Sequence, residues 1–195
     1  MTDNTTELDF GTTAQKATDA EKLPVVLLAL DQGRYDMARS LDELRALGEV
    51  TRVVNSANYS LGVAVLRRMC AEAARALGDW DAEIVETHHN QKADAPSGTA
   101  KLLLEAIDPA GEAPVAYGRE GMVGARPAGE VGMHSLRGGT VAGTHEVHFF
   151  GPDEEVCLTH RATSRQIFVN GALAAAQKLV AREPGFYTFD QVMFA

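Results

Sequence analysis

The chain has 195 residues, 45% hydrophobic and 23% charged, a composition that lets a globular protein bury a core without disulfides or metals. Its formal net charge is -9, from 18 Lys and Arg against 27 Asp and Glu, so neither nucleic acid nor an anionic membrane is an expected partner. No apolar run is long enough to span a bilayer, and the N-terminus lacks the pattern of a signal peptide, which together predict a cytoplasmic protein.

The first part of the chain predicts a polar tail and one β-α-β unit. Residues 1–22 are rich in Thr and Asp and lack periodicity, which favours a flexible tail. Residues 23–30 are an apolar run of strand length, residues 37–47 carry a helical apolar stripe, and residues 50–56 predict a second strand. This order is the smallest unit of a parallel sheet.

The remainder predicts helices around a second sheet, with a Gly- and Pro-rich loop over residues 109–133. In chain order we expect a helix over 61–80, a strand over 81–88, a helix over 99–107 capped by Ser97, strands at 134–138, 143–151 and 154–162, and a helix over 167–181. The predicted fold class is therefore α/β plus α+β: a β-α-β fragment joined to a mixed, mostly antiparallel sheet flanked by helices.

Cysteine and histidine spacing predicts no metal site. Cys70 and Cys157 lie far apart without a CxxC pattern, and both are expected to be small buried side chains. The histidine pairs offer no shared ligand position, because each pair places its side chains on opposite faces of a strand: His88 with His89, and His145 with His148.

Residues 86–100, ETHHNQKADAPSGTA, concentrate reactive side chains where a strand ends and a helix begins. Free N–H groups of a first helical turn bind carboxylate or phosphate, Gly98 lets a ligand approach the backbone, and neighbouring Ser and Thr hydroxyls add donors. Lys92 adds a positive charge, and His88 titrates near neutral pH, as a general acid beside an anion should. The segment is predicted to be a small-anion pocket with a proton-transferring His/Lys pair.

This segment is one of several ordered motifs along the chain. The others are NSANYSLGVAVL (55–66), REGMVGARPAGEVGMHSLRGGTVAGTHEVHFFG (119–151), LTHRATSRQIFVNGALAAA (158–176) and GFYTFDQVM (185–193). In order and spacing they resemble the 4-hydroxy-tetrahydrodipicolinate reductase (dihydrodipicolinate reductase) family over roughly residues 23–195. The resemblance implies an enzyme of lysine or diaminopimelate-related metabolism that acts on a small dicarboxylate, and a C-terminal domain that assembles homotetramers.

The resemblance also implies roles for single residues. His88 would be the general acid that protonates the reduced ring, Lys92 would hold the substrate and stabilise developing charge, and His89 would line the pocket. The residues expected to bind the two substrate carboxylates are Ser97, Gly98 and Thr99 for the first and Arg165 for the second.

The N-terminal part departs from the family pattern. Family members begin with a strand and a G-x-x-G-x-M-G loop that holds the NAD(P)H pyrophosphate, and this sequence has no such loop; Ala57 and Tyr59 would be vestiges of the cofactor site. The domains implied are a flexible tail (1–22), a remnant of the dinucleotide-binding domain (23–60), a substrate-binding and oligomerisation domain (61–182), and a C-terminal segment that packs back toward the remnant (183–195).

An acid site without a phosphate loop favours non-redox proton transfer on a small cyclic imine or amino dicarboxylate. His88 would be the acid/base of such a lyase, cyclase or isomerase, which needs no cofactor. Two alternatives stay open. One is an NAD(P)H-dependent reductase with a reduced or partner-supplied cofactor site, and the other is a non-catalytic binding or assembly subunit.

Overall fold

The computed structural model describes residues 26–28 and 37–195, so the predicted tail over 1–22 lies outside the described residues. The elements in chain order are β1 (Val26–Leu28), α1 (Met37–Gly48), β2 (Arg52–Asn55), α2 (Leu61–Leu77), β3 (Asp81–His88), α3 (Gly98–Ile107), β4 (Val115–Ala116), β5 (Val131–Arg137), β6 (Gly143–Gly151), β7 (Glu154–Ala162), α4 (Gln166–Leu179), β8 (Gly185–Thr188) and α5 (Phe189–Phe194). None of these helices combines the length and apolar content that crossing a bilayer requires.

The chain divides into two compact units. The first unit joins the described residues up to Ala57 with Gly171–Ala195, and the second unit is Asn58–Asn170. The first unit holds a parallel sheet of order β1-β2-β8, so the predicted β-α-β unit is present. Its core packs Phe186 of β8 against Leu44, Leu47 and Val53.

The second unit holds a five-stranded sheet of order β4-β5-β3-β6-β7. β3 pairs in parallel with β5 and antiparallel with β6, and β6 pairs antiparallel with β7. The mixed, mostly antiparallel sheet flanked by helices is therefore confirmed. β4 and the start of β5 lie inside the stretch that was expected to be a loop, because β4 has only two residues and the glycines around it hide its pattern.

One face of this sheet, which we call the covered face, packs against α2 and α3. Ile84, Met133 and Val147 project from it into a core that Leu66 of α2 and Leu103 of α3 complete. Since side chains alternate along a strand, the residues two and four positions after Ile84 lie on the same face. The apolar rows therefore give way to polar side chains toward the C-terminal end of β3.

The opposite face, which we call the open face, carries the exposed side chains of β7. Cys157 projects from it and is exposed, so the expectation that both cysteines are buried is wrong for this one. The reason is register: Cys157 lies between Val156 and Leu158, whose side chains turn to the covered face. Cys70 is buried as expected, and burial raises the pKa of its thiol to about 12.

Candidate functional site

A buried carboxylate holds His88 in place at the end of β3. Glu86 is 0% exposed and accepts two hydrogen bonds from the Arg137 guanidinium, at 2.9 and 2.7 Å. Its Oε2 lies 2.5 Å from Nδ1 of His88, and its Oε1 accepts the Ser97 N–H at 3.1 Å. The sheet creates this arrangement, because Glu86 and His88 are two apart on one strand and Arg137 lies opposite His88 on β5.

Protonation states follow from these contacts. Burial by itself would raise the pKa of Glu86, but hydrogen bonds from Arg137 and His88 outweigh it and hold the pKa at about 2. An ionised carboxylate only accepts, so Nδ1 of His88 carries the hydrogen and Nε2 of the neutral ring has the free lone pair. Burial lowers the pKa of His88, whereas its hydrogen bond with Glu86 raises it. The charges of Lys92 and Arg137 lower it further, so that the pKa lies below its ordinary value.

Ser97 links this dyad to α3 and to a second histidine. Its side chain accepts the Ala100 N–H at 3.2 Å, which makes it the N-cap that the sequence predicted. Its Oγ also lies 3.1 Å from Nε2 of His145. The hydroxyl and the N–H of Ser97 both have protein partners. The N–H groups of the first helical turn that lack an acceptor inside the helix are therefore those of Gly98 and Thr99.

Gly98 adds open space to the segment that joins β3 to α3, and Lys92 adds a positive charge to it. A Cβ built on Gly98 would meet nothing within 4 Å. The Thr99 hydroxyl accepts a hydrogen bond from the Asn58 amide at 2.8 Å. The Lys92 ammonium lies 2.7 Å from the Asp94 carboxylate, so a ligand anion would share or replace this ion pair.

The other predicted site residues are spread more widely. His89 is half-buried, and its N–H bonds the Val141 carbonyl at 2.8 Å. Arg165 is exposed, with its guanidinium over the Phe168 ring at 5.9 Å. The structure thus brings His88, Ser97 and the start of α3 together, while Arg165 lies at the rim, just before α4.

A cavity of about 30 Å³ lies beside His88, lined also by Thr99, His145, His160, Gly143 and Phe168. The Nδ1 atoms of His145 and His160 are buried and have no hydrogen-bond partner among the described residues. This volume accommodates about one water molecule, which could bond such unpaired nitrogens. The cavity is therefore a polar space behind the dyad, too small for a substrate ring.

Sequence reasoning missed Arg137 and His145. Arg137 lies 51 residues from Glu86, and only the parallel pairing of β3 with β5 brings them together. The spacing of His145 and His148 directs their side chains to opposite faces of a strand and so predicts no shared site for them. That face assignment holds, but the partners of His145 are on other elements, namely Ser97 and the His88 ring, whose centroid lies 5.1 Å away.

Burial of His145 predicts a specific loss of stability in acid. Burial and the nearby charge of His88 lower its pKa from 6.5 to about 4. Between these values the unfolded chain binds a proton that the folded chain does not, so stability is full above pH 6.5 and falls as the pH drops. We expect the free energy of unfolding to fall by about 3 kcal/mol by pH 4 from this residue. Urea titrations of the unaltered chain and His145→Gln from pH 7 to 4 measure it; parallel curves would contradict it.

The stretch in which a parallel β-α-β unit carries a phosphate loop lies outside the described residues. This loop follows the first strand, and here that stretch is residues 29–36. Tyr59, one of the two expected vestiges, is 7% exposed and belongs to the core, while Ala57 is exposed. Glu86, His88 and Ser97 all belong to the second unit.

Comparisons with known proteins agree with the motifs. A family model described as the C-terminus of dihydrodipicolinate reductase matches residues 62–193. The 4-hydroxy-tetrahydrodipicolinate reductase of Akkermansia muciniphila is 51% identical over 146 residues, 72% of this chain and 59% of the relative. That of Staphylococcus saprophyticus subsp. saprophyticus is 44% identical over 172 residues, 87% of this chain and 70% of the relative. The chain thus spans 59% to 70% of the length of these relatives.

A solved structure shares the fold. It is described as a dipicolinate-bound dihydrodipicolinate reductase from Paenisporosarcina sp. TG-14, and it superposes with a TM-score of 0.70 at 22% identity. The match covers 95% of this chain and 71% of that one. At this identity the likeness shows the architecture, and the residues of the site have to be argued from their own geometry.

Proposed function

The chain belongs to the dihydrodipicolinate reductase family by its C-terminal part, and on this premise we propose that it binds a small cyclic imine or amino dicarboxylate and transfers a proton at Nε2 of His88. The observation that carries the proposal is the 2.5 Å contact between Glu86 and Nδ1 of His88, next to the start of α3. This contact fixes the tautomer that leaves Nε2 to exchange protons with a ligand.

The electrostatics of the dyad support acid catalysis. The ionised Glu86 stabilises a positive charge on the His88 ring, so the ring can take up a proton from solvent. Burial and the charge of Lys92 make the protonated ring more acidic than free imidazole, so it gives that proton up readily. In the reverse direction, the neutral ring is a base at Nε2.

Three features support a dicarboxylate as the ligand. The N–H groups of Gly98 and Thr99 point out of a helix N-terminus, the charge of Lys92 acts on His88, and Arg165 is a second cation at the rim. The relative of known structure is described as dipicolinate-bound. Because the cavity beside His88 has only about 30 Å³, the ligand would bind on the Gly98 side or displace the wall that Phe168 forms.

The names of the relatives bear on the choice between a non-redox enzyme and an NAD(P)H-dependent reductase. The sequence favours a non-redox lyase, cyclase or isomerase, whereas the relatives are named reductases, which favours proton transfer coupled to NAD(P)H-dependent reduction. One observation still supports the non-redox candidate: the groups that would move the proton and hold the anion all lie in the second unit. Proton transfer alone therefore needs nothing from the first unit.

A paired calorimetric titration separates these candidates. We expect pyridine-2,6-dicarboxylate to bind the chain, and to bind more weakly to Lys92→Met. Binding of both this ligand and NADPH or NADH would support the reductase, and binding of the dicarboxylate alone would support the non-redox enzyme. A chain that binds no dicarboxylate would overturn the proposal.

Domain roles and assembly are part of the same proposal. We infer that residues 61–182 bind substrate and assemble a homotetramer, and that residues 183–195 complete the remnant over 23–60. The parallel pairing of β8 with β2 supports the second inference, because it makes the C-terminal segment part of that sheet. Light scattering of the purified chain measures the assembly, and a monomer at all concentrations would contradict it.

The cytoplasmic location stays a prediction.

Gly143 tests the role of Nε2 sterically. A Cβ at this position would lie 3.0 Å from Nε2 of His88, and its φ of 151° disfavours other residues. We expect Gly143→Ala to lower turnover roughly 10- to 100-fold by covering the proton-transferring atom. Gly138→Ala is the matched control, since its Cβ would meet nothing within 4 Å and its φ is not positive. Equal turnover of the two variants in steady-state assays would contradict this role.

A further inference from the structure

A row of three polar side chains crosses the covered face of the sheet beside His88. Glu86 of β3 is directly opposite His145 of β6, and His145 is directly opposite His160 of β7. Opposite residues in an antiparallel pair carry their side chains on the same face, with Cβ atoms about 4.5–5.5 Å apart. The row therefore continues the group of Glu86 and His88 toward the edge of the sheet, and the proposed function does not yet use its two histidines.

The helices that cover this face hold both rings in place. His145 is 4% exposed, and its Nε2 lies 3.1 Å from Oγ of Ser97 at the start of α3. His160 is half-buried beside the first turn of α2, where a Cβ built on Gly62 would lie 2.8 Å from its Nε2. Since α2 and α3 lie on the other side of the sheet from the open face, packing of open faces in an assembly leaves both rings as they are.

Each ring has one buried nitrogen without a protein partner. The Nδ1 atoms of His145 and His160 are both buried and have no hydrogen bond within the part of the chain that the structure describes. Buried polar atoms are nearly always hydrogen-bonded to protein or to ordered water, so two such nitrogens on neighbouring strands indicate a bound polar molecule. Both rings line the cavity of about 30 Å³ beside His88, and this volume limits the molecule to the size of water.

The hydrogen-bonding roles of these groups suit a water molecule. Oγ of Ser97 already accepts a backbone N–H, so its hydrogen can be donated to Nε2 of His145, and the hydrogen of that ring is then on Nδ1. His88 lines the same cavity, and its Nε2 has a free lone pair. A water molecule can accept from Nδ1 of His145 and donate to Nε2 of His88 and to Nδ1 of His160. These are the roughly three bonds that a buried water commonly makes.

We propose that His145 and His160 bind one water molecule in this cavity and, together with it, position the ring of His88 for proton transfer. The inference rests on the proposed function, because it assigns both histidines to the same proton transfer. Glu86 fixes the Nδ1 side of the His88 ring, at 2.5 Å. His145 meets that ring in a T-shaped contact, with centroids 5.1 Å apart and an angle of 74° between the planes, and the water holds Nε2. A bound ligand takes the place of the water at Nε2 and meets a ring that is already oriented.

Two nearly isosteric substitutions at His160 test this arrangement. Asparagine keeps a polar group close to the position of Nδ1, whereas leucine has the same branched shape without one. We expect a crystal structure of the free, unaltered chain to show one water within hydrogen-bonding distance of both Nδ1 atoms, and this water to be kept in His160→Asn and lost in His160→Leu. We expect His160→Leu to lower kcat about 10-fold without changing the affinity for pyridine-2,6-dicarboxylate, because it disturbs the orientation of the acid and not the anion site. His160→Asn should recover most of this loss.

Three results would overturn the proposal. The first is a crystal structure of the unaltered chain without an ordered water at the two Nδ1 atoms, and this result needs no variant that folds. The second is an unchanged kcat in His160→Leu. The third is an equal loss of kcat in both variants, with circular dichroism showing that both fold, because His160 would then act by packing alone. Failure of the proposed function is distinguishable, since it would appear as loss of dicarboxylate binding in the unaltered chain, whereas the water is observed without a ligand.

Discussion

We expect His88→Gln to lower kcat by about 10²- to 10⁴-fold, the range that a positioned general acid or base contributes. Glutamine can keep a hydrogen bond to Glu86, but it has no proton to exchange near neutral pH. The affinity for pyridine-2,6-dicarboxylate should change little, because the start of α3 and Lys92 hold the anion. Steady-state kinetics and calorimetry together measure the two effects.

The matched control for this substitution is His134→Gln. His134 belongs to the same sheet but lies on the open face, where its Nε2 is 2.7 Å from a Glu83 carboxylate oxygen. Its loss should leave kcat unchanged. Full turnover by His88→Gln would contradict the proposed proton transfer, and equal losses in both variants would show a general effect on the sheet.

The second large effect concerns stability. We expect Glu86→Gln to lower the free energy of unfolding by about 3–5 kcal/mol, because it leaves the mostly buried Arg137 guanidinium without its carboxylate. The pKa of His88 should also fall, since the bond that opposes the effect of burial is weakened. Urea unfolding at neutral pH measures the first change, and the NMR titration of His88 measures the second.

Two further variants make this result specific. The double substitution Glu86→Gln with Arg137→Met removes both charges and should recover much of the lost stability. Glu72→Gln breaks an exposed ion pair with Arg75 on α2 and should have no measurable effect. If Glu86→Gln destabilises the chain no more than Glu72→Gln does, the Glu86–Arg137 pair is not the support that we describe.

Local patterns predicted the elements that have clear periodicity or caps. The alternation in residues 81–88 gave β3 correctly, and Ser97 caps α3 as expected. β8 and α5 have four and six residues, too few for a periodic pattern, so their strand and helix were not anticipated. The exposure of Cys157 was missed because hydrophobicity alone does not say which face of an edge strand a small residue occupies.

Only part of the candidate site could be predicted from local sequence patterns. His88, Lys92 and Gly98 lie within one segment, so their chemistry could be predicted from spacing. Arg137 and His145 join the site only through strand register, which a single sequence does not reveal. The ionised state of Glu86 depends on Arg137, so the tautomer of His88, on which the proposed function depends, could not be derived before the sheet was known.

His88 should exchange a proton beside a bound dicarboxylate, and NMR titration of its ring tests this most directly. In the free chain we expect the pKa of His88 to lie below the ordinary value of 6.5. With saturating pyridine-2,6-dicarboxylate it should rise, because a bound anion favours the charged ring. A His88 pKa that is unchanged by the bound ligand would contradict the account.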